Sequence, residues 1–467
     1  MKAPLPPGPR GHWLQGHLPQ FRGDRLEFMA RCVREYGDVV GLRFGHRRVY
    51  LVNHPDLLEE ILVTQSRHFI KNFALRINPL VFGKGLLVSE QEFWLKQRRL
   101  IQPAFSRNRL AGYSQVMIDA TQSMLASWKP GETRDIYTDM MRLTLAITAR
   151  TLFDAEVDGD ASEVSNALHL LQENFLVRIN SLLLLPIWVP TPQNLRLRRI
   201  IRKLDEIIFR FIRQRRQNPV EKPDLLSILL QARDEDDGTG MTDRQVRDEA
   251  MTLFLAGHET TALALSWTWY LLAGHPEVEE KLQAEMDAVL AGRVPTFEDL
   301  PRLKYAEKVI QESMRYYPPV YLIGREAIDE CVIGGFRVKR GTTLLMSQWL
   351  IHRDPRFFEQ PEKFIPERWT EEFARTMPKF AYFPFGGGPR LCIGNTFAMM
   401  EMVLVLADIA QRFRFTAKAG HDVTLWPSFT LRPRNGIPAT LVERKTPTAL
   451  ATGDILAGAS SSLPIAP

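Results

Sequence analysis

Near the C-terminal end, Phe385-Gly386-Gly387-Gly388-Pro389-Arg390-Leu391-Cys392-Ile393-Gly394 sets one thiol in a glycine-rich turn, two residues after an arginine. Phe385 is placed to cover the sulfur, and the glycines let backbone approach a large flat ligand closely. Arg390 supplies a fixed positive charge for an acidic group on that ligand. The stretch from Asn395 to Phe413 reads as a helix. Its first free N–H groups and the positive end of its dipole would lie near the sulfur and favour S⁻. A free cysteine is more commonly a small buried hydrophobe. The glycines, arginine and phenylalanine at these spacings point instead to a thiolate ligand.

A second group of reactive side chains lies in Ala256-Gly257-His258-Glu259-Thr260-Thr261. These residues fall inside a span that begins with Thr242 and Gln245, a capping box, and stops at Gly274 before Pro276. About 32 residues at 1.5 Å each give a helix of roughly 48 Å, enough to cross the whole molecule. A glycine in such an interior costs roughly 1 kcal/mol and each β-branched threonine somewhat less. The spacing therefore suggests a local opening, with Thr260 bonding back to a carbonyl one turn earlier and Gly257 admitting a bulky group. Taken alone, Glu259 and Thr260 read equally well as a solvent-facing acid beside a capping-type threonine. His258 faces away from that pair.

The loop pattern F-x-x-G-x-R-x-C-x-G resembles the haem-binding loop of the cytochrome P-450 family, in which the cysteine thiolate is the axial ligand of haem iron. Ala256 to Thr261 is similar to the family's oxygen-binding groove. The resemblance implies that Glu259 and Thr260 hold water and deliver the protons that productive O–O cleavage requires. Glu312-Ser313-Met314-Arg315 matches the family's E-x-x-R, and Pro366-Glu367-Arg368-Trp369 the later segment whose arginine joins it. By resemblance Glu312, Arg315 and Arg368 form a buried structural network. Trp94 to Arg98 resembles W-x-x-x-R, offering an indole N–H and a guanidinium to a haem propionate. Arg325 and His352 are implied as further propionate contacts, and Gly388 and Gly394 as parts of the loop. The implied substrate pocket draws on Phe254, Leu255, Ala256, Val320, Leu322, Ile323, Phe429 and the loop from Phe73 to Leu87.

The composition suits such a protein. The chain has 467 residues, 45% apolar and 24% charged, so a large core is available. Three cysteines make no disulfide framework and point to a reducing, cytoplasmic setting. No apolar run is long enough to span a bilayer or serve as a signal peptide, which leads to the expectation of a soluble monomer. A net charge of +6 with scattered basic residues and no nucleic-acid motif disfavours a nucleic-acid role. The expected fold is mainly α with small sheets. Val39–Phe44 and Arg48–Val52 form one hairpin, and further strands lie near 331–338 and 439–442. Residues 1–20 are a proline-rich lead, 21–445 one haem domain, and 446–467 a disordered tail.

The resemblance implies a haem-thiolate monooxygenase using haem b and O2. It would insert one oxygen atom into a lipophilic fatty acid, terpenoid or steroid-like molecule. With no flavin or iron–sulfur segment in view, electrons would come from a ferredoxin- or flavodoxin-type donor and its NAD(P)H reductase. Lys96, Arg99 and Lys379 are the expected docking surface. The apolar stretch Ser181 to Pro190, with the basic helix after it, reads as a lid over the channel that could touch a membrane surface. Two alternatives remain open: a peroxide-using or rearranging haem-thiolate enzyme, and a non-catalytic haem sensor.

Overall fold

The structure is a computed structural model that describes residues 3–76, 79–154, 188–218 and 224–444. Of the proposed lid, Ser181 to Pro190, residues 181–187 lie outside the described residues, as does the tail from 446 to 467.

Five strands form the main sheet. β1 (Val39–Phe44) and β2 (Arg47–Val52) pair antiparallel, as the alternation around Gly45 predicts. β3 (Phe69–Lys71), β4 (Ile323–Ala327) and β5 (Thr343–Met346) complete the order β1-β2-β5-β4-β3. β5 runs parallel to β2, and β4 lies antiparallel to both β5 and β3. The expected strands near 331–338 are a short hairpin, Cys331–Ile333 with Phe336–Val338.

The helical part is organised around one element. α1 (Gln91–Ile101), α2 (Ile136–Phe153) and α3 (Pro192–Gln217) precede it; α4 (Asp243–Ala273) is the central helix. The capping box at Thr242 and Gln245 is formed, and Gly274 ends the helix. From Ala262 to Trp269 every residue is buried, so this half lies in the core, with the Ser266 and Thr268 hydroxyls bonded to carbonyls four residues back. Trp267 and Trp269 are its largest side chains, and the Trp267 indole N–H donates to the Leu431 carbonyl at 2.9 Å. The N-terminal half is covered by α3, whose Leu197, Ile201, Leu204, Ile208 and Ile212 recur at helical spacing on one buried face. Arg247, fully buried, donates to Asp205 on α3 at 2.6 Å. One expectation fails here: α4 runs as a continuous α-helix through Gly257, without an opening. The hydroxyls of Thr252 and Thr260 each bond the carbonyl four residues back, which absorbs the polar groups without breaking the ladder.

α5 (Lys304–Tyr316) and α6 (Asn395–Arg412) pack against the central helix from the side of the cysteine loop. Among the described residues, no helix is long and apolar enough to cross a membrane.

Candidate active site

The cysteine loop is held by backbone contacts that only glycine permits. Gly388 has φ +66°, and a Cβ there would lie 1.9 Å from the Leu62 carbonyl oxygen. At Gly387 an added Cβ would come 2.1 Å from the Phe380 ring. The Cys392 N–H donates to the Phe385 carbonyl at 3.0 Å, closing the turn. Gly388→Ala is therefore expected to cost at least about 1–3 kcal/mol from the left-handed backbone alone. A denaturant titration against wild type checks this; an unchanged midpoint would contradict it.

Cys392 is exposed, and the space it meets is a cavity of about 730 Å³. That volume is within the roughly 300–1,000 Å³ usual for cofactor and ligand sites. The wall opposite comes from α4, through Leu255, Ala256, Gly257 and Thr260. Above Gly257 there is open space, with only the Thr148 hydroxyl at 3.9 Å from where a Cβ would stand. Phe385, Arg390 and Gly394 line the loop side. Burial pushes the Cys392 thiol above its ordinary range, against the Gly394 N–H and the charges of Arg98 and Lys71, which favour the thiolate.

One edge of the cavity is crowded with cations. Lys71 stands directly opposite Arg325 in the β3–β4 register, a like-charge pairing that ordinarily destabilises a sheet. Burial, with Arg325 and Arg390 beside it, drives the Lys71 ammonium well below its usual range. Burial likewise lowers Arg325 and Arg390 to about 10 each. Glu90 is the acid that answers them: it pairs with Arg390, and its other oxygen accepts the Lys71 backbone N–H at 2.6 Å. The positive excess fits a ligand bearing carboxylates, as a haem does. Lys71 was not singled out in the sequence; the signal was a lysine ending a short apolar strand.

The other expected cofactor contacts are distributed unevenly. Trp94 is buried under Arg390, whose guanidinium carbon sits 4.0 Å from its ring centroid. Arg98 donates to the Leu391 carbonyl at 2.7 Å, so it braces the cysteine loop from outside the cavity wall. His352 is a correction. Fully buried and absent from the cavity wall, it accepts the Phe383 backbone N–H at 3.0 Å through Nε2. Burial, with Arg315 and Arg353 nearby, keeps its imidazole neutral, well below its usual range. It fixes the chain leading into the loop.

Glu259 also departs from expectation. Its carboxylate lies on the cavity wall but is clamped by Arg432 and accepts from the Thr430 hydroxyl at 2.6 Å. The Thr260 hydroxyl bonds Ala256 at 2.7 Å and faces the cavity. The two groups share a wall without converging. His258 is buried against Phe254, with its pKa lowered to about 4 by burial first and the Arg432 charge second. Phe254 turns into that stack and toward Phe153, outside the cavity wall, because its position on α4 faces α2. Leu255, Val320, Leu322, Ile323 and Phe429 do line the cavity, as do Phe73 to Leu75, Phe82 and Leu87.

Beneath the site, Glu312 accepts from Arg315 twice at 2.9 Å, from Arg368 at 3.0 Å and from the Trp369 indole at 3.0 Å. Glu312 and Arg315 are fully buried. The expected docking cations are each neutralised: Lys96 pairs with Asp237, Arg99 with Asp234 and Asp236, and Lys379 with Glu59. They do not form the free positive patch expected of them.

A thiol lining a large cavity, the Leu255–Thr260 stretch of α4 on its wall and an unbalanced cationic edge suit a large apolar ligand bearing acidic groups. The chain belongs to the cytochrome P450 family, whose family model, Cytochrome P450, matches residues 6–437. It is a cytochrome P450 monooxygenase. It is 38% identical to cyclooctat-9-en-7-ol 5-monooxygenase of Streptomyces melanosporofaciens over 87% of this chain and 88% of that protein. Cyclooctatin synthase of the same organism is 36% identical, covering 92% of this chain and 94% of that one. Pentalenene oxygenase of Streptomyces avermitilis is 34% identical, over 87% and 90%. The crystal structure of cytochrome P450DA heme domain superposes with a TM-score of 0.87 at 28% identity, covering 96% of this chain and 99% of that one. The mainly helical fold with small sheets is thus that of a P450 haem domain.

Proposed function

We propose that this enzyme oxygenates a cyclic terpenoid, placing one atom of O2 on an unactivated C–H or C=C bond and releasing the other as water. The observation that carries the reading is Cys392 opening into a large, mainly apolar cavity that the Leu255–Thr260 stretch of α4 also lines. The three terpenoid-named relatives support the substrate class. Haem b is the cofactor that would be held, by Cys392 at the metal and by Lys71, Arg325 and Arg390 at its carboxylates. When bound, it would supply the one-electron and oxygen chemistry, with the thiolate promoting O–O cleavage.

The chain's own groups would then do the following. Leu255, Val320, Leu322, Ile323 and Phe429 pack the apolar body of the substrate and exclude water. The Thr260 hydroxyl, anchored to Ala256, holds a water on the cavity side and passes its proton inward. Glu259 supplies acid from behind, once its carboxylate leaves the Arg432–Thr430 clamp. Electrons are drawn from a ferredoxin- or flavodoxin-type partner.

Thr260→Ala tests this reading. The cofactor stays bound, product formation falls by about 100-fold, the low end of what a positioned proton carrier contributes, and peroxide accumulates instead. Terpenoid product measured per reductant consumed is the assay. Unchanged coupling would remove the proton role, and absence of any terpenoid product in the wild type would remove the substrate class.

A further inference from the structure

The cavity has a second chemical feature, among residues that the oxygenation site does not use. Arg25, at the start of the helix Arg25–Tyr36, lies on the cavity wall beside Phe21, Phe44 and Tyr321. It is only 9% exposed. Its Nη1 donates to the Tyr321 hydroxyl at 3.1 Å, and its guanidinium carbon sits 5.1 Å from the Phe21 ring centroid. The Tyr321 hydroxyl in turn donates to the Ser428 carbonyl at 2.7 Å, so toward Arg25 it can only accept. Among the described residues Arg25 has no acidic partner. Arg47, on the same wall, is placed the same way: its guanidinium carbon is 4.1 Å from the Phe73 ring centroid, with no acid paired to it.

A guanidinium carries five N–H donors, and one phenolic oxygen uses few of them. Burying such a cation without an anion is costly, whereas a methionine or leucine would fill the same space without that penalty. A brace to Tyr321 alone does not require a charge. Arg25 lies on the cavity wall with donors beyond the one given to Tyr321, and a planar fork among aromatic rings matches a carboxylate in a two-point contact.

We propose that Arg25, with Arg47 beside it, forms a carboxylate-binding subsite on the cavity wall, selecting amphipathic substrates with an apolar body and a terminal acid group. The inference rests on the reading of this cavity as the substrate site, and it narrows the substrate to an acid such as a terpenoid carboxylic acid. Arg25 is a specificity residue here, acting on binding rather than on the oxygen chemistry.

Binding of dodecanoic acid, its methyl ester and dodecan-1-ol to the purified holoenzyme, followed by calorimetry, tests it. In the wild type the acid binds at least about tenfold more tightly than the ester, a difference of about 1.4 kcal/mol. In Arg25→Met that preference disappears while ester and alcohol binding hold, and Arg25→Lys restores part of it. Equal binding of acid and ester by the wild type overturns the proposal without needing any variant to fold. So does a parallel loss for all three probes in Arg25→Met, which would make the residue a brace. If ester and alcohol bind but the acid has no advantage, the subsite falls and the cavity reading stands. If none of the three binds, both fall.

Discussion

Cys392→Ser is expected to reduce monooxygenation to background and to remove the long-wavelength Soret band of the reduced, carbon-monoxide-treated protein. The reason lies in the cavity. Burial already holds the Cys392 thiol above its ordinary range, and the Gly394 N–H, Arg98 and Lys71 counter this only in part. A thiol can still surrender its proton to a metal, because the thiolate is a soft, strong ligand. A serine hydroxyl at the same position starts from a far higher pKa and offers a harder oxygen. The backbone turn should survive, since it depends on Gly388 and on the Cys392 N–H bond to Phe385 rather than on sulfur. Circular dichroism unchanged beside a lost Soret band is the expected pair of results. A serine variant with the band intact would show that another residue ligates the iron.

The second large effect concerns Glu312. Its two oxygens receive Arg315, Arg368, the Trp369 indole and the Ile365 N–H at 2.9–3.0 Å, with no exposure of Glu312 itself. Arg315 also donates to the carbonyls of His352, Pro361 and Lys363 at 2.8–2.9 Å, and so ties α5 to the chain leading toward the cysteine loop. Glu312→Ala leaves two cations uncompensated in the interior, at a cost of about 3–5 kcal/mol. Chemical denaturation should show the loss, and the variant should shed its cofactor more readily. Breaking the exposed Arg34–Glu27 pair, where both side chains are more than half exposed, should change nothing measurable. Equal effects from the two substitutions would refute the distinction between buried and solvated pairs in this protein.

What could be read from the sequence follows from how local each signal is. The central helix was legible because its cap, its apolar face and its Gly-Pro stop all lie within one continuous stretch. The hairpin around Gly45 and the helix after Cys392 were legible for the same reason, since alternation, helical spacing and turn residues act between near neighbours. The clamp on Glu259 was not, because Arg432, in the short strand Leu431–Pro433, and Thr430 just before it reach it from more than 170 positions away. Neither was Lys71, whose role depends on pairing across the sheet with Arg325. His352 illustrates the opposite error: a polar residue at a plausible distance in the chain was read as a ligand contact. Its nitrogen instead accepts a backbone N–H that would otherwise go unpaired in the interior. The rotation of Phe254 onto His258 belongs to the same class, for helical spacing assigns a face but not the neighbour that occupies it.

Glu90 gives the cationic edge a further consequence. Its carboxylate holds Arg390 with one oxygen and the Lys71 backbone N–H with the other, so a single acid ties the end of β3 to the cysteine loop. A sheet edge and a loop far apart in the chain thus share one counter-ion, and a change at Glu90 would be felt at both. Mutual repulsion among Lys71, Arg325 and Arg390 is offset at one point, which makes that carboxylate the keystone of the cationic edge.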